Sequence, residues 1–213
     1  MTDEKYHLTA RLIHWIMALG FVFMWGSGFA MTTLVEEESP LEELLFGLHI
    51  SVGVMLLALL VLRIAIRLAH RPPPLPATIR RVERTAAHFG HAALYALPAL
   101  VIAAGWAEVN FSGYAVQWFG FELPRIFPET GEALQDLSED IHMWLAYGML
   151  AVAAGHVAAA FKHRWLDGHD VIRRMTFGRS WGPPFRRRQR GGPARSRRAP
   201  VTGPITKIRR IAP

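Results

Sequence analysis

The chain has 213 residues, 51% of them hydrophobic and 19% charged, with 24 Lys+Arg against 17 Asp+Glu, a formal net charge of +7, 10 His and no Cys. Without Cys there is no disulfide scaffold, thiolate metal site, c-type haem attachment, iron–sulfur cluster or Cys nucleophile. High apolarity beside this many charges means that the charges are segregated, and the uncharged gaps between them define the elements.

A membrane helix needs about 20 apolar residues. Span 1, Leu12–Val35, runs 24 residues without a charge and carries His14 near its start. Its apolar run exceeds the roughly 7–15 residues of a signal peptide, and its flank Met1–Arg11 is nearly neutral, so it reads as a retained helix. A loop with five Glu and no basic residue (Glu36, Glu37, Glu38, Glu42, Glu43) leads into span 2, Leu44–Leu62, which carries His49. The segment Arg63 to Arg84 holds six Arg and one Glu, and its Pro72-Pro73-Pro74-Leu75-Pro76 stretch makes a stiff, non-helical connector. Span 3, Thr85–Ala107, begins with His88 and His91. The long loop Glu108–Asp140 carries seven acids against Arg125, with Trp106, Trp118, Phe119 and Phe121 as interfacial anchors at its membrane boundary. Span 4, Ile141–Phe161, carries His142 and His156, and His163 follows between Lys162 and Arg164. His7, His70 and His169 read as solvated.

The four spans (about 12–35, 44–62, 85–107 and 141–161) predict an all-α integral membrane four-helix bundle, since none shows the polar face of a soluble helix. Residues 1–175 form this transmembrane domain. Residues 176–213 form a basic tail, Arg/Pro/Gly-rich and expected to be disordered. The tail reads as topology-fixing or solubilising rather than as a binder of anionic lipid or nucleic acid, and no nucleic-acid partner is expected. Basic loops stay in the cytoplasm, so both termini are expected inside, in agreement with an even number of spans.

Ionisable side chains inside a membrane are costly and tend to be functional, and here nearly all of them are His. Imidazole is neutral when deprotonated and binds haem iron axially. The direction of each span places His49 and His142 at the outer level and His14 and His156 at the inner level. His142 and His156 are 14 residues apart, nearly four turns, so they leave one face of span 4 about 21 Å apart in depth. Each pair is a candidate bis-His haem site. A zinc site usually wants three or four ligands close together, and two His per level is too few. His91 lies near the depth of His14 and is a secondary candidate, as an alternative ligand, a polar cap or a partner of a haem propionate. His163 sits where a quinone head or a propionate would lie, or is an interfacial side chain that snorkels. Small residues near two of these His (Gly47, Ser51 and Gly53; Ala153, Ala154 and Gly155) suit a flat macrocycle and equally suit helix packing.

Leu12-Ile13-His14-Trp15, Gly47-Leu48-His49-Ile50-Ser51, the Pro-rich link, His88-Phe89-Gly90-His91-Ala92 with Tyr95 and Leu97-Pro98, Trp118-Phe119-Gly120 with Pro124, the His142/His156 spacing, His163 and Asp170-Val171-Ile172-Arg173-Arg174-Met175 together resemble the bacterial cytochrome b561 family, related to the cytochrome b subunit of nickel–iron hydrogenases. The match runs from about Tyr6 to Met175, and it is the order and spacing of these motifs that are specific. The resemblance implies two b haems on His14, His49, His142 and His156, in the bacterial inner (plasma) membrane. It further implies electron transfer between a donor at the outer face and ubiquinone or menaquinone.

Some members are thought to oxidise superoxide at the outer face, which makes a quinone-linked oxidoreductase one option. The twelve acids of the two outer segments oppose an anion and favour a cationic redox protein as partner. An anchor subunit for a hydrogenase or dehydrogenase is the alternative role. A haem-free transporter is a third reading, but it lacks mid-membrane carboxylates, and apart from Pro98 no span is visibly broken.

Overall fold

The computed structural model describes residues 5–70, 79–168 and 170–177. The Pro-rich connector, His169 and the basic tail from residue 178 lie outside them. The described residues form four long helices, a two-stranded hairpin and a short 3-10 turn. All four helices are long and apolar enough to cross a membrane.

Helix α1 spans Leu8–Thr33 and helix α2 spans Pro40–Ala69. The start of α2 is written locally. The Ser39 side chain accepts from the Glu42 backbone N–H, Pro40 supplies a helical φ, and Glu42 and Glu43 face the positive end of the helix dipole. Helix α3 spans Arg81–Phe111 and helix α4 spans Glu132–Trp165. Every helix starts before its uncharged window, and α2, α3 and α4 also run past its end; α1 stops at Thr33, two residues short of Val35. The apolar gap measures the hydrocarbon core, whereas backbone hydrogen bonding continues into the charged interfacial turns. Hence Glu132–Asp140, expected within a loop, forms the first turns of α4. Pro98 is buried inside α3, a position that membrane helices tolerate when neighbours cover the freed carbonyl.

α1 packs along α2, α3 packs along α4, and α2 touches α3. Ile13 and Met17 of α1 meet Leu56 and Leu60 of α2, and Tyr95, Ala99 and Ile102 of α3 lie against them. Outside this small core, large apolar residues such as Leu19, Val22, Phe89 and Trp144 are about 70% exposed. For a soluble chain such surfaces are a liability; for a bundle in lipid they are the required exterior.

The segment after α4 folds back onto the start of α1. The Tyr6 N–H donates to the Arg174 carbonyl (3.2 Å), the Trp15 indole to Met175 (2.9 Å) and the Arg11 guanidinium to Thr176 (2.9 Å). Residues 5 and 177 therefore lie at the same end of the bundle. At the other end, β1 (Gln117–Trp118) and β2 (Phe121–Glu122) form a hairpin whose two-residue turn, Phe119-Gly120, has both φ values positive, at 47° and 87°.

Candidate metal centres

At the hairpin end, the rings of His49 on α2 and His142 on α4 face each other with centroids 6.2 Å apart and planes at 66°. At the termini end, His14 on α1 and His156 on α4 stand 6.4 Å apart at 75°. Two imidazoles on opposite sides of one metal, each bonded at about 2 Å, have centroids about 6 Å apart. Both separations fit that distance. The structure thus brings together the two pairs expected from depth along the helices.

At the hairpin end the second ring nitrogens are already committed. The Nδ1–H of His142 donates to the Val101 carbonyl on α3 (2.9 Å). Nδ1 of His49 lies 2.9 Å from the Ser27 hydroxyl of α1, and that hydroxyl spends its own proton on the Met24 carbonyl. Ser27 therefore accepts from His49. Both rings are held in the tautomer that leaves Nε2 with a free lone pair, the outer-sphere arrangement typical of metal-binding His. Two glycines give the rings room. A Cβ on Gly105 would lie 2.9 Å from the His142 ring, and one on Gly28 would lie 3.6 Å from His49.

The hairpin sits beside this pair. The Ser51 hydroxyl, one half-turn from His49, donates to the Gly47 carbonyl (2.8 Å) and accepts from the Phe119 N–H (2.9 Å). Asn110, fully buried at the end of α3, holds the rest of the loop. Its Oδ1 accepts from Ile126 and Phe127, and its Nδ2 donates to the Tyr114 carbonyl. Trp118, Phe119 and Phe121 are all exposed.

The termini end has a different neighbourhood. The His91 ring is 5.3 Å from His156, closer than the rings of either pair, and it bonds back to the Ala87 carbonyl. His14 has an arginine at its Nδ1: Arg63 reaches from α2 to within 3.3 Å. The Nδ1–H of His163 donates to the Asp167 carboxylate at 2.7 Å. Glu83, His163 and Asp167 are grouped closely enough to bind a cation, but the Lys162 ammonium already bridges both carboxylates. Lys162 and, secondarily, His163 hold the Asp167 carboxyl below the usual carboxylate range. His88 bonds to its own helix at Arg84, and His7 stacks on His70.

The sequence reading passed over Ser27, Gly105, Asn110 and the role of Arg63. Ser27 places a hydroxyl between two glycines in a largely apolar span, which is a signal in itself. Arg63 was read as the end of span 2. The depth rule applied to the His residues puts it level with His14.

The profile of the prokaryotic cytochrome b561 family matches residues 5–178. The chain belongs to the prokaryotic cytochrome b561 family. Among its curated relatives, cytochrome b561 homolog 2 of Escherichia coli (strain K12) is 31% identical over 176 residues, covering 82% of this chain and 92% of the relative. The probable superoxide oxidase CybB of Yersinia pestis is 28% identical over 179 residues, covering 81% and 96% respectively. Cytochrome b561 membership and four spanning helices make this a multi-pass bacterial membrane protein of electron transfer that binds b-type haem. The matched region ends at residue 178, so the basic tail beyond it is outside the family's common core.

Proposed function

We propose that the chain is a dihaem b-type cytochrome that carries electrons across the bacterial inner membrane between a donor at the outer face and the quinone pool. The observation that carries this reading is the pairing of four His, from three helices, into two couples with centroids 6.2 and 6.4 Å apart. His49 and His142 would hold one haem and His14 and His156 the other. Haem iron supplies one-electron chemistry when bound; the protein's part is to fix ligand orientation and exclude water. Ser27 and the Val101 carbonyl orient the first pair, while the apolar faces of α1 to α4 keep both couples in a low-dielectric setting.

The hairpin end is the outer face and the termini end is cytoplasmic, because the two segments at the hairpin end carry twelve acids against Arg125, and those at the other end are rich in Arg. His163 and His91, at the cytoplasmic level, are candidates to contact a quinone or a haem propionate. The name of the Yersinia pestis relative suggests a second reading, superoxide:quinone oxidoreduction. A membrane anchor for a hydrogenase or dehydrogenase remains the alternative role.

A reduced-minus-oxidised spectrum and a pyridine haemochrome assay on the purified full chain test the proposal. Two b haems per chain are expected, and about one in the His156→Ala variant. Retention of both haems in that variant refutes the ligand assignment.

A further inference from the structure

We propose that Trp106 is a binding residue of the hairpin-end site, its indole N–H donating to a propionate carboxylate of the haem that His49 and His142 would hold. This rests on the haem reading of that pair alone and adds to it a contact at the rim of the cofactor.

In the sequence Trp106 reads as an interfacial anchor, and an anchor keeps its N–H among headgroups and water. The structure covers it instead. Nε1 of Trp106 is buried, and among the described residues no acceptor bonds to it. Trp15 and Trp25, by contrast, spend their N–H groups on the Met175 and Ala146 carbonyls. An indole donates and does not accept, and a buried donor without an acceptor is costly. The group bound beside it is what supplies one.

The placement follows from the helix. Tyr95, Ala99 and Ile102 of α3 pack against the core that α1 and α2 form. Trp106 comes four residues after Ile102, so it continues that face. Its neighbour Gly105 lies against the His142 ring, where a Cβ would come within 2.9 Å. Helix α3 runs from the termini end to the hairpin end, so Trp106 stands one residue further toward the hairpin than Gly105. A haem carries two carboxylates, and ionised groups cost least on the side of a site nearer the aqueous phase. Trp106 occupies that side. The polar side chains already placed around this pair are engaged elsewhere: Ser27 with His49, Ser51 with Gly47 and Phe119, and Asn110 with the outer loop.

Ultraviolet resonance Raman of the purified full-length protein tests this, because the indole W17 band reports N–H hydrogen bonding. The difference between wild type and Trp106→Phe isolates the band of Trp106. The protein is loaded either with haem or with haem dimethyl ester, which has lost the carboxylate charge and is the weaker acceptor. With haem, the band is that of a strongly bonded N–H; with the ester, it moves toward a free one. Trp106→Phe lowers the affinity of the hairpin-end site for haem about tenfold and leaves its affinity for the ester unchanged. A Trp106 band indifferent to esterification overturns the inference and gives the N–H to water or to the protein. Equal loss of haem and ester from Trp106→Phe overturns it too and makes the indole a packing residue. If Trp106→Phe does not fold, the haem-minus-ester difference of the wild type serves, and an unchanged W17 band in it is again fatal. A wild type that binds no b haem, or a His49→Ala variant that keeps the full complement, refutes the underlying reading of the pair instead.

Discussion

Gly105 shows how little freedom the outer site leaves. Its missing side chain is the space in which the His142 ring turns, and a Cβ there would lie 2.9 Å from two ring atoms. The ring cannot simply rotate away, because the Val101 carbonyl holds its Nδ1. Gly105→Ala is therefore expected to displace the ligand and reduce the b haem content from about two per chain toward one, measured by pyridine haemochrome. Gly148→Ala, at an exposed position of α4 where a Cβ meets nothing within 4 Å, is the control and should keep both. Unchanged haem content in Gly105→Ala would mean that the loop end of α3 yields more readily than its packing suggests. Asp167 acts at the same scale but at the other end. Its carboxyl is held below the ordinary range by Lys162 and then His163, so the ionised form is favoured in the folded chain. A depressed acid stabilises the fold above its unfolded pKa, and the contribution is lost as pH falls through the lower folded value. Amide protection at the C-terminus of α4 should thus weaken below the usual carboxylate range, and Asp167→Asn should remove most of that dependence. Hydrogen exchange across acid pH reads it directly.

At the scale of elements, helices, hairpin and loop differ in how plainly the sequence announces them. The spans were legible because lipid imposes a single requirement, about 20 residues without charge, and Leu44–Leu62 or Ile141–Phe161 can hardly satisfy it by accident. Their true ends were not legible. Glu132 to Asp140 is helical because water and lipid headgroups accept charged side chains on a continuing helix, and no composition shift marks the start of α4. The His pairing was legible because depth follows from residue number along a helix of known rise. The Nδ1 partners were not: a backbone carbonyl such as that of Val101 has no sequence signature. The outer loop likewise hangs on Asn110, which looks like an unremarkable polar residue near the end of span 3. Buried with three hydrogen bonds to loop backbone, it ties α3 to Tyr114, Ile126 and Phe127. Asn110→Ala leaves those groups without their partner, at about 1–3 kcal/mol. It should lower the thermal midpoint and raise protease sensitivity between residues 112 and 131, with the inner haem's spectrum retained. A loop as resistant as wild type would place its anchoring elsewhere, for instance in Ser51 and the hairpin.

For the molecule as a whole, the charge distribution bears on which donor it serves. An electron moving inward opposes an inside-negative membrane potential, at about 2.3 kcal/mol per 100 mV, so an inward carrier needs a compensating rise in potential between its two sites. In the proposed orientation, the Arg-rich termini end lies inside and the acidic hairpin end outside, which supplies a field of that sign. The same outer field acts on whatever arrives. Glu36, Glu37 and Glu38 on one loop with Glu43 at the start of α2, and Glu122, Glu129, Glu132, Asp136, Glu139 and Asp140 on and after the other, are all exposed. The single outer arginine, Arg125, is exposed too and donates to the Gly113 carbonyl at 2.9 Å. Such a surface repels an anion and draws in a cation, and salt screens both effects over about 10 Å at 0.1 M. The two readings of the donor therefore predict opposite salt dependence. If a cationic redox protein is the donor, the second-order rate of haem reduction should fall as ionic strength rises from about 10 to 200 mM. If superoxide is the donor, its rate should be low and should climb over the same range, because screening removes the barrier. Stopped-flow reduction of the purified protein by cytochrome-like basic proteins and by generated superoxide, followed at the b-haem absorbance, separates them. A fast superoxide rate that falls with salt would make Arg125 the centre of a local positive entrance strong enough to override the acids around it, and Arg125→Gln should then abolish that fall.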